Sequence, residues 1–313
     1  MTKYIIKRLI MMFVLLLGMT FIVFMSLHFA PGDTAEIVAG ANATPEDIER
    51  VREYLGLNQP ILVQYGIYLN NLLHLDLGTS LSTRQPIISE LAIRLPHTIN
   101  LAVFSMILAI IIGVPAGIFA AIKKDSWIDN LLTTTSLIGI SIPNFWLGTM
   151  LILLFCVQLK LLPTGGMDEP FYTANGIRQA ILPGIALSLQ VAAGFTRIGR
   201  SAMLDVLQSD YIRTAKSKGV KPKVIIFVHA LKNALIPIIT QLGTAFGGLL
   251  GGAIITEQVF VINGVGTYLI TAINQRNFPV VQSTVLVIAT MFIVINLIVD
   301  IVYCLIDPRI SYE

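Results

Sequence analysis

Long apolar segments alternate with short polar ones along most of the 313-residue chain. An α-helix needs about 20 apolar residues to cross a ~30 Å hydrocarbon core. Six segments meet this requirement, and they occupy residues 9–30, 98–121, 131–157, 177–198, 238–262 and 283–306. The pattern therefore predicts an all-α, polytopic membrane protein with six transmembrane helices. Pro143 lies inside the third segment and predicts a kink there.

A polar stretch separates the first apolar segment from the second. Thr44-Pro45-Glu46-Asp47 is a capping box with proline at the first helical position, and Gly56 offers a stop for that short helix. Eight acidic residues stand against four arginines in this stretch. We expect an N-terminal transmembrane helix in residues 1–30, an extracytoplasmic insert in residues 31–97, and a transmembrane core in residues 98–313.

Composition and charge placement support this interpretation. Apolar residues make up 55% of the chain and charged residues 12%, whereas soluble domains carry about 25% charged residues. With the insert placed outside, the segments on the inner side hold 14 Lys and Arg residues and those on the outer side hold 7. Because positive charge favours the cytoplasmic side, both termini are predicted to be cytoplasmic.

The most basic stretch begins at Arg197 and ends at Lys232, with eight positive and two negative charges. Asp210 can cap a short helix there, and Gly219 can end it because glycine adopts positive φ at little cost. A second helix is expected to start after Pro222 and to end at Pro237. The predicted feature is a helix, a glycine corner and a second helix within residues 197–237.

This basic loop carries a family resemblance. Arg213-Thr214-Ala215, with Gly219 four residues after Ala215, resembles the EAA loop of binding-protein-dependent ABC importer permeases. The segment DYIRTAKSKG, followed by HALKNALIP, is similar to the sequences of the peptide/nickel branch of that family. Arg213 replaces the usual Glu and Lys232 the usual Pro, and both departures are habitual in that branch. The motifs RLPHT, SIPNFWLG, LLPTGG, NGVG and DPRI extend the resemblance over nearly the whole chain.

The resemblance implies a function and a set of partners. The chain is expected to be a permease subunit of an ATP-driven importer of di- and oligopeptides in a prokaryotic cytoplasmic membrane. Expected partners are a second homologous permease subunit, two ABC ATPase subunits and an extracytoplasmic substrate-binding protein. The predicted ATPase-coupling residues are Tyr211, Arg213, Thr214, Ala215, Lys218 and Gly219.

Several alternatives remain open from the sequence. The same machinery could import nickel, a metal chelate or glutathione. An ion-coupled secondary transporter would use ionisable residues at the bilayer midplane. The basic loop could also contact lipid headgroups without any protein partner.

Two groups of residues, one in the third span and one in the fifth, are predicted to line a translocation path. Asn144, Phe145 and Trp146 follow Pro143, where a broken helix exposes backbone groups. Gly247 and Gly251 belong to the glycine-dense fifth span, which allows another helix to approach closely. Helix packing alone is the alternative interpretation for both groups.

The sequence predicts no catalytic, metal or cofactor site on this chain. It contains no G-x-x-x-x-G-K-[ST] loop for nucleotide phosphates, and the four histidines have no metal-ligand spacing. No catalytic residue, metal site or cofactor is therefore expected here, and ATP and Mg²⁺ are expected on the ATPase subunits. Glu257, near the end of the fifth span, is expected to be solvated at the membrane interface.

The predicted topology can be tested by cysteine labelling. In a variant without Cys156 and Cys304, a cysteine introduced at Asn42 should react with a membrane-impermeant maleimide from outside, and one introduced at Lys218 only from the cytoplasm. Labelling of Asn42→Cys only from the cytoplasm would reverse the predicted orientation.

Overall fold

Helices form the regular structure of this protein. The computed structural model describes residues 2–29, 34–39, 43–54 and 56–306. The first helices are α1 (Thr2–Phe29), α2 (Thr34–Ala39), α3 (Pro45–Tyr54), α4 (Ile61–Leu73), α5 (Ile87–Ile122), α6 (Trp127–Ser141) and α7 (Asn144–Leu151). The later helices are α8 (Ala174–Leu207), α9 (Asp210–Ser217), α10 (Pro222–Val224), α11 (Leu231–Val259), α12 (Val265–Asn274) and α13 (Phe278–Ile306). Two π-helical segments, Ile152–Gln158 and Ile225–Ala230, extend α7 and join α10 to α11.

Five described helices are long and apolar enough to cross a membrane. These stretches are Ile6–Ser26, Ile87–Ile122, Ala174–Leu207, Pro222–Val259 and Phe278–Val299. A sixth crossing would combine α6 with α7 and the π-helical segment that follows α7. The all-α, multi-pass fold predicted from the hydrophobic pattern is therefore confirmed.

The third predicted span is not one kinked helix. α6 ends at Ser141, α7 begins at Asn144, and the two halves are bent by 100°. Ile142 and Pro143 between them have extended backbone dihedrals. Proline lacks an N–H and disfavours helical geometry in the residue before it, so this pair breaks the helix. The kink predicted at Pro143 is thus a complete break, which divides this predicted span into two helices.

The chain divides into two compact units. One comprises Met1–Leu9, Leu95–Thr267 and Phe292–Glu313, and the other comprises Ile10–Arg94 and Tyr268–Met291. The first unit contains α6 to α11 and most of α5. The second contains most of α1, the helices α2 to α4, and the first half of α13.

In the first unit, α5 and α8 approach each other backbone to backbone. A Cβ atom on Gly117 would lie 2.5 Å from the carbonyl oxygen of Thr196, and one on Gly113 would clash with the backbone of Ala192. The Thr196 hydroxyl donates to the Gly113 carbonyl oxygen across this contact, at 3.2 Å. Only glycine permits so close an approach, so these positions fix how α5 packs on α8.

A bidentate ion pair fastens α6 to α8 in the same unit. Arg200 donates from Nε and Nη2 to the two carboxylate oxygens of Asp129, at 2.6 and 2.7 Å. The Asp125 backbone N–H also donates to Asp129, at 3.0 Å. The Asp129 side chain is 3% exposed and that of Arg200 is 29% exposed. This ion pair is expected to be stronger than a surface ion pair, because it is bidentate and the Asp129 carboxylate is buried.

The second unit is held by aromatic and polar contacts. Phe24 of α1 stacks on Tyr68 of α4, with ring centroids 5.7 Å apart. The Asn277 side-chain amide donates to the hydroxyl groups of Ser80 and Ser82, at 3.0 and 3.1 Å. The predicted capping box at Thr44 is present in this unit, since the Asp47 backbone N–H donates to the Thr44 hydroxyl at 3.2 Å.

Removal of the Asp129 carboxylate should destabilise the protein. Asp129→Ala leaves the Arg200 guanidinium partly buried without its partner, which should cost roughly 3 kcal/mol. Thermal unfolding of the detergent-solubilised protein measures the change. Asp210→Ala is the matched control because its ion pair with Arg213 is exposed and should contribute less than about 1 kcal/mol. Equal effects of the two substitutions would contradict this account of the ion pair.

Candidate functional site

The glycine corner after α9 has the geometry of a Schellman motif. Gly219 has a φ of +76°. Its N–H donates to the Lys216 carbonyl oxygen at 3.0 Å, and the Val220 N–H donates to that of Ala215 at 3.2 Å. These two bonds satisfy carbonyl groups that the helix end would leave free. The predicted stop at Gly219 is confirmed, whereas Asp210 is the first helical residue and Ser209 takes the N-cap position.

One buried side chain anchors α9 to the helices beneath it. Ile212 is fully buried in an apolar cluster that includes Ile118 of α5, Met203 of α8 and Ile225 of the second π-helical segment. On the same helix, the Tyr211 hydroxyl accepts a hydrogen bond from the Asn233 side-chain amide at 2.7 Å. A displacement of α9 would therefore be transmitted to four other elements of the same unit: α5, α8, the second π-helical segment and α11.

The coupling residues predicted from the sequence divide between two faces of α9. Tyr211, Arg213, Thr214, Lys218 and Gly219 are exposed. Ala215 is half-buried and packs with Val220 against the cluster that holds Ile212. The exposed face of α9 is thus basic and polar. The small side chain of Ala215 packs instead against other helices of the same chain.

The second helix of the basic loop is longer than predicted. It begins at Pro222, passes through the π-helical segment Ile225–Ala230, and continues past Pro237 to Val259. Ala234 and Ile238 are buried on either side of Pro237. This packing keeps the helix continuous although the proline removes one backbone hydrogen bond. The predicted end at Pro237 was therefore wrong.

A cavity of about 210 Å³ lies where the α6–α7 break, α8 and α11 meet. Its lining contains three amide side chains and no charged residue. The lining residues are Asn144, Leu187, Gln190, Val191, Gly194, Phe195, Gln241, Ala245, Gly248 and Leu249. The site combines an apolar wall with hydrogen-bonding groups that carry no net charge.

The polar groups of this cavity follow from the broken helix. The Gln190 side-chain amide donates to the Ile142 carbonyl oxygen at 3.1 Å, and so satisfies a backbone group at the break. The Asn144 side-chain oxygen is buried and has no hydrogen-bond partner. A buried acceptor without a donor costs about 1–3 kcal/mol.

The structure brings only one of the predicted path residues into the cavity. Asn144 lines it, but Phe145 and Trp146 are not in the lining and are each about half exposed. Gly247 packs against the ring of Phe292, and Gly251 is exposed outside the lining. These four remain path predictions that the cavity does not support.

The sequence reasoning missed most of the lining. The lining residues of α8 and of α11 recur at intervals of three and four, so they form one face of each helix. A polar residue begins or interrupts each face, at Gln190 and at Gln241. An apolar helical repeat that contains a single amide side chain could therefore have indicated the cavity-lining faces of α8 and α11 from the sequence.

Glu257 is buried rather than solvated, so the expectation of interfacial solvation was wrong. Its carboxylate accepts from the Thr98 hydroxyl at 2.5 Å and from the Thr267 backbone N–H at 3.0 Å. The Thr98 hydroxyl in turn accepts from the Val265 N–H at 2.9 Å. These bonds give the buried carboxyl group two donors, one from α5 and one from a backbone N–H in the first turn of α12. The motifs RLPHT and NGVG therefore meet around one carboxylate.

Among the residues that the structure describes, no three His, Cys, Asp or Glu side chains lie close enough together to hold a metal ion. The corner at Gly219 and the amide-lined cavity are the two parts of the candidate site.

Comparison with known proteins identifies the family. The family model described as the inner membrane component of binding-protein-dependent transport systems matches residues 113–312. The model of the N-terminal part of such membrane components matches residues 1–102. The chain belongs to this permease family. The two matches together cover both the α9 corner and the helices that line the cavity.

Curated relatives match this permease over their full length. It is 46% identical to the dipeptide transport system permease protein DppB of Alkalihalophilus pseudofirmus, with 100% of each chain covered. A putative peptide transport system permease protein of Brucella abortus is 40% identical, and the glutathione transport system permease protein GsiC of Escherichia coli K12 is 41% identical. Both also align over 100% of each chain.

A solved structure shares the permease fold. A chain of the inward-facing MetNI methionine ABC transporter superposes with a TM-score of 0.58 at 18% identity. The match covers 71% of this chain and 99% of that one. The multi-pass helical fold of ABC transporter membrane subunits is therefore confirmed, and permeases of this family act with an ATPase and a substrate-binding protein.

Loss of the Ile212 side chain should loosen α9. Ile212→Ala removes most of a fully buried side chain, which should cost about 2–4 kcal/mol of local stability. Trypsin should then cleave faster at Arg213, Lys216 and Lys218, because local opening exposes these bonds. Val224→Ala, at a partly exposed position in the same loop region, should leave the cleavage rate nearly unchanged. Equal rates in both variants would show that Ile212 is not the anchor.

Proposed function

We propose that this permease is a subunit of an ATP-driven importer of dipeptides and oligopeptides. The proposal is supported by full-length similarity to permeases named for dipeptide and peptide transport. The neutral amide-lined cavity is chemically suited to a peptide and offers no carboxylate, imidazole or thiol for a metal ion.

The proposed assembly contains a second homologous permease subunit, two ATPase subunits and an extracytoplasmic binding protein. Both termini and the basic loop lie in the cytoplasm, as the distribution of Lys and Arg favours. ATP and Mg²⁺ bind to the ATPase subunits, and this chain catalyses no reaction itself. Its role is to form half of the translocation path and to respond to the ATPases.

The anchored corner at Gly219 is the observation that carries this role. α9 exposes a basic and polar face while Ile212 ties it to α5, to α8 and to the second π-helical segment. An ATPase that binds this face and changes shape would move these elements together. Such movement of packed helices is a known way to switch a transporter between two openings.

Glutathione is the second candidate substrate, because the glutathione permease GsiC is 41% identical over the whole chain. Glutathione is itself a tripeptide with a γ-linked first residue, so it presents amide groups to the same cavity. Thermal stabilisation of the associated binding protein by peptides or by glutathione would separate the two candidates.

Substitution of Gly219 tests the coupling role. Gly219→Arg should abolish most substrate uptake, because a large side chain resists positive φ and also holds the corner away from its partner. A Cβ atom at Gly219 meets nothing within 4 Å in this chain. The variant should therefore remain in the membrane. Uptake and copurification of the ATPase subunits should be measured in the same membranes.

Gly219→Asn is the matched control, because asparagine tolerates positive φ and adds a smaller side chain. It should retain more uptake than Gly219→Arg. An ion-coupled carrier needs no ATPase at this corner, so under that alternative Gly219→Arg would leave uptake intact and insensitive to ATP depletion. Normal uptake by a fully assembled Gly219→Arg complex would refute the coupling role.

A further inference from the structure

A second cavity lies beside α9, next to the C-terminal ends of α5 and α8. Its volume is about 390 Å³, which falls within the roughly 300–1,000 Å³ of small-ligand sites. Six apolar residues and one lysine line it: Ile122, Leu207, Lys216, Val220, Pro222, Ile225 and Ile226. The cavity thus combines an apolar wall with a single positive charge.

Lys216 lies on a different side of α9 from the proposed coupling face. It follows the buried Ile212 by four residues, so both lie on one side of the helix. Thr214 and Lys218 are each two residues from Lys216, and they therefore lie on roughly the opposite side. None of the predicted coupling residues lines the cavity. The cavity is adjacent to the surface assigned to the ATPase but distinct from it.

The residues around the end of α5 place the cavity at the edge of the membrane. Ile122 is the last residue of α5, and two exposed lysines follow it. Trp127, at the start of α6, is 72% exposed. Exposed Trp and Lys side chains at the end of a span are typical of the membrane–water interface. Phe227 and Val228, directly after Ile226, are each more than half exposed, so the apolar wall continues onto the protein surface.

The charge around the cavity is mainly positive. Within three positions of a lining residue, the chain holds seven Lys and Arg residues and three Asp residues. These are Lys123, Lys124, Arg213, Lys216, Lys218, Lys221 and Lys223 against Asp125, Asp205 and Asp210. An acidic phospholipid complements both features, because its acyl chain matches the apolar wall and its phosphate group matches the lysines.

We propose that this cavity binds an anionic phospholipid of the cytoplasmic leaflet, with part of an acyl chain among the apolar residues and the phosphate group at Lys216. The bound lipid fills the space beside α9 and the ends of α5 and α8, and so joins the glycine corner to the membrane. The assignment to the cytoplasmic leaflet rests on the proposed topology. The binding itself depends neither on that topology nor on the transported substrate.

Lipid binding by the complete transporter tests this site. The detergent-solubilised complex should be titrated with phosphatidylglycerol, or with phosphatidylcholine that carries the same acyl chains, and the bound lipid counted by native mass spectrometry. Wild type should bind phosphatidylglycerol more tightly, because a lysine at the membrane surface favours a headgroup with net negative charge. Lys216→Gln should lower the apparent affinity for phosphatidylglycerol by roughly fivefold. Lys216→Arg keeps the charge and should keep the wild-type affinity.

Lys232→Gln is the matched control. It removes the same charge at an exposed position of the basic loop that does not line the cavity, and it should retain the wild-type affinity. Other lipid sites on the complex contribute equally to both variants, so the difference between them reports this cavity. Equal losses in Lys216→Gln and Lys232→Gln would show attraction to overall positive charge only, and would overturn the site. Equal wild-type affinities for the two lipids would also overturn it.

A second pair of variants tests the place of the acyl chain. Ile226→Trp adds volume at a half-buried lining position and should lower the affinity for phosphatidylglycerol several-fold. Val228→Trp adds volume two residues later, at a position that is 58% exposed, and should leave the affinity unchanged. Equal affinities of these two variants would mean that no acyl chain enters the cavity in the assembled transporter, as when an ATPase side chain fills it. That result would overturn the proposal.

Discussion

The close approach of α5 and α8 is the constraint on which the rest of the first unit depends. Gly113 and Gly117 leave no room for a side chain between the two backbones. The apolar lipid offers little net gain from burying one more leucine, so close packing and interhelical hydrogen bonds must hold the helices together. The Thr196 hydroxyl supplies such a bond at the same contact. α5 and α8 therefore form one rigid pair.

This rigid pair connects the two parts of the candidate site. Gln190, Val191 and Gly194 of α8 line the cavity, and Met203 near its end packs in the cluster that holds Ile212. The ion pair between Arg200 and Asp129 fastens α6 to α8 between these two places. A movement imposed at the corner would consequently reach the wall of the cavity through α8. The break before Asn144 gives the opposite wall a separate short helix.

The sequence predicted the fold and the corner because both follow from local rules. Apolar length indicates a membrane span, and a glycine after a short polar helix indicates a helix end that needs positive φ. The cavity depends instead on which faces of α7, α8 and α11 meet, and hydrophobic length carries no information on that. Phe145 and Gly251 were predicted to line a path from their chain positions alone, and the cavity includes neither.

Two further differences between the sequence prediction and the structure also arise from tertiary contacts. The burial of Glu257 requires donors from Thr98 and Thr267, which are distant from it or lie across a turn. The continuation of α11 past Pro237 requires the packing of Ala234 and Ile238. In both places tertiary contacts decide an outcome that local preference leaves open. The sequence showed the motifs around these two positions, but it did not show which of their residues contact each other in the fold.

The central claim is that α5, α8 and α9 move as one body when the ATPase subunits act. Spin labels at Ile111, an exposed residue of α5, and at Lys218, at the end of α9, measure this directly in the assembled transporter. Double electron–electron resonance should be recorded without nucleotide and in an ATP-trapped state. The account predicts the same distance distribution in both states. A shift of several ångströms between them would show that α9 moves independently of the rigid pair and would contradict the account.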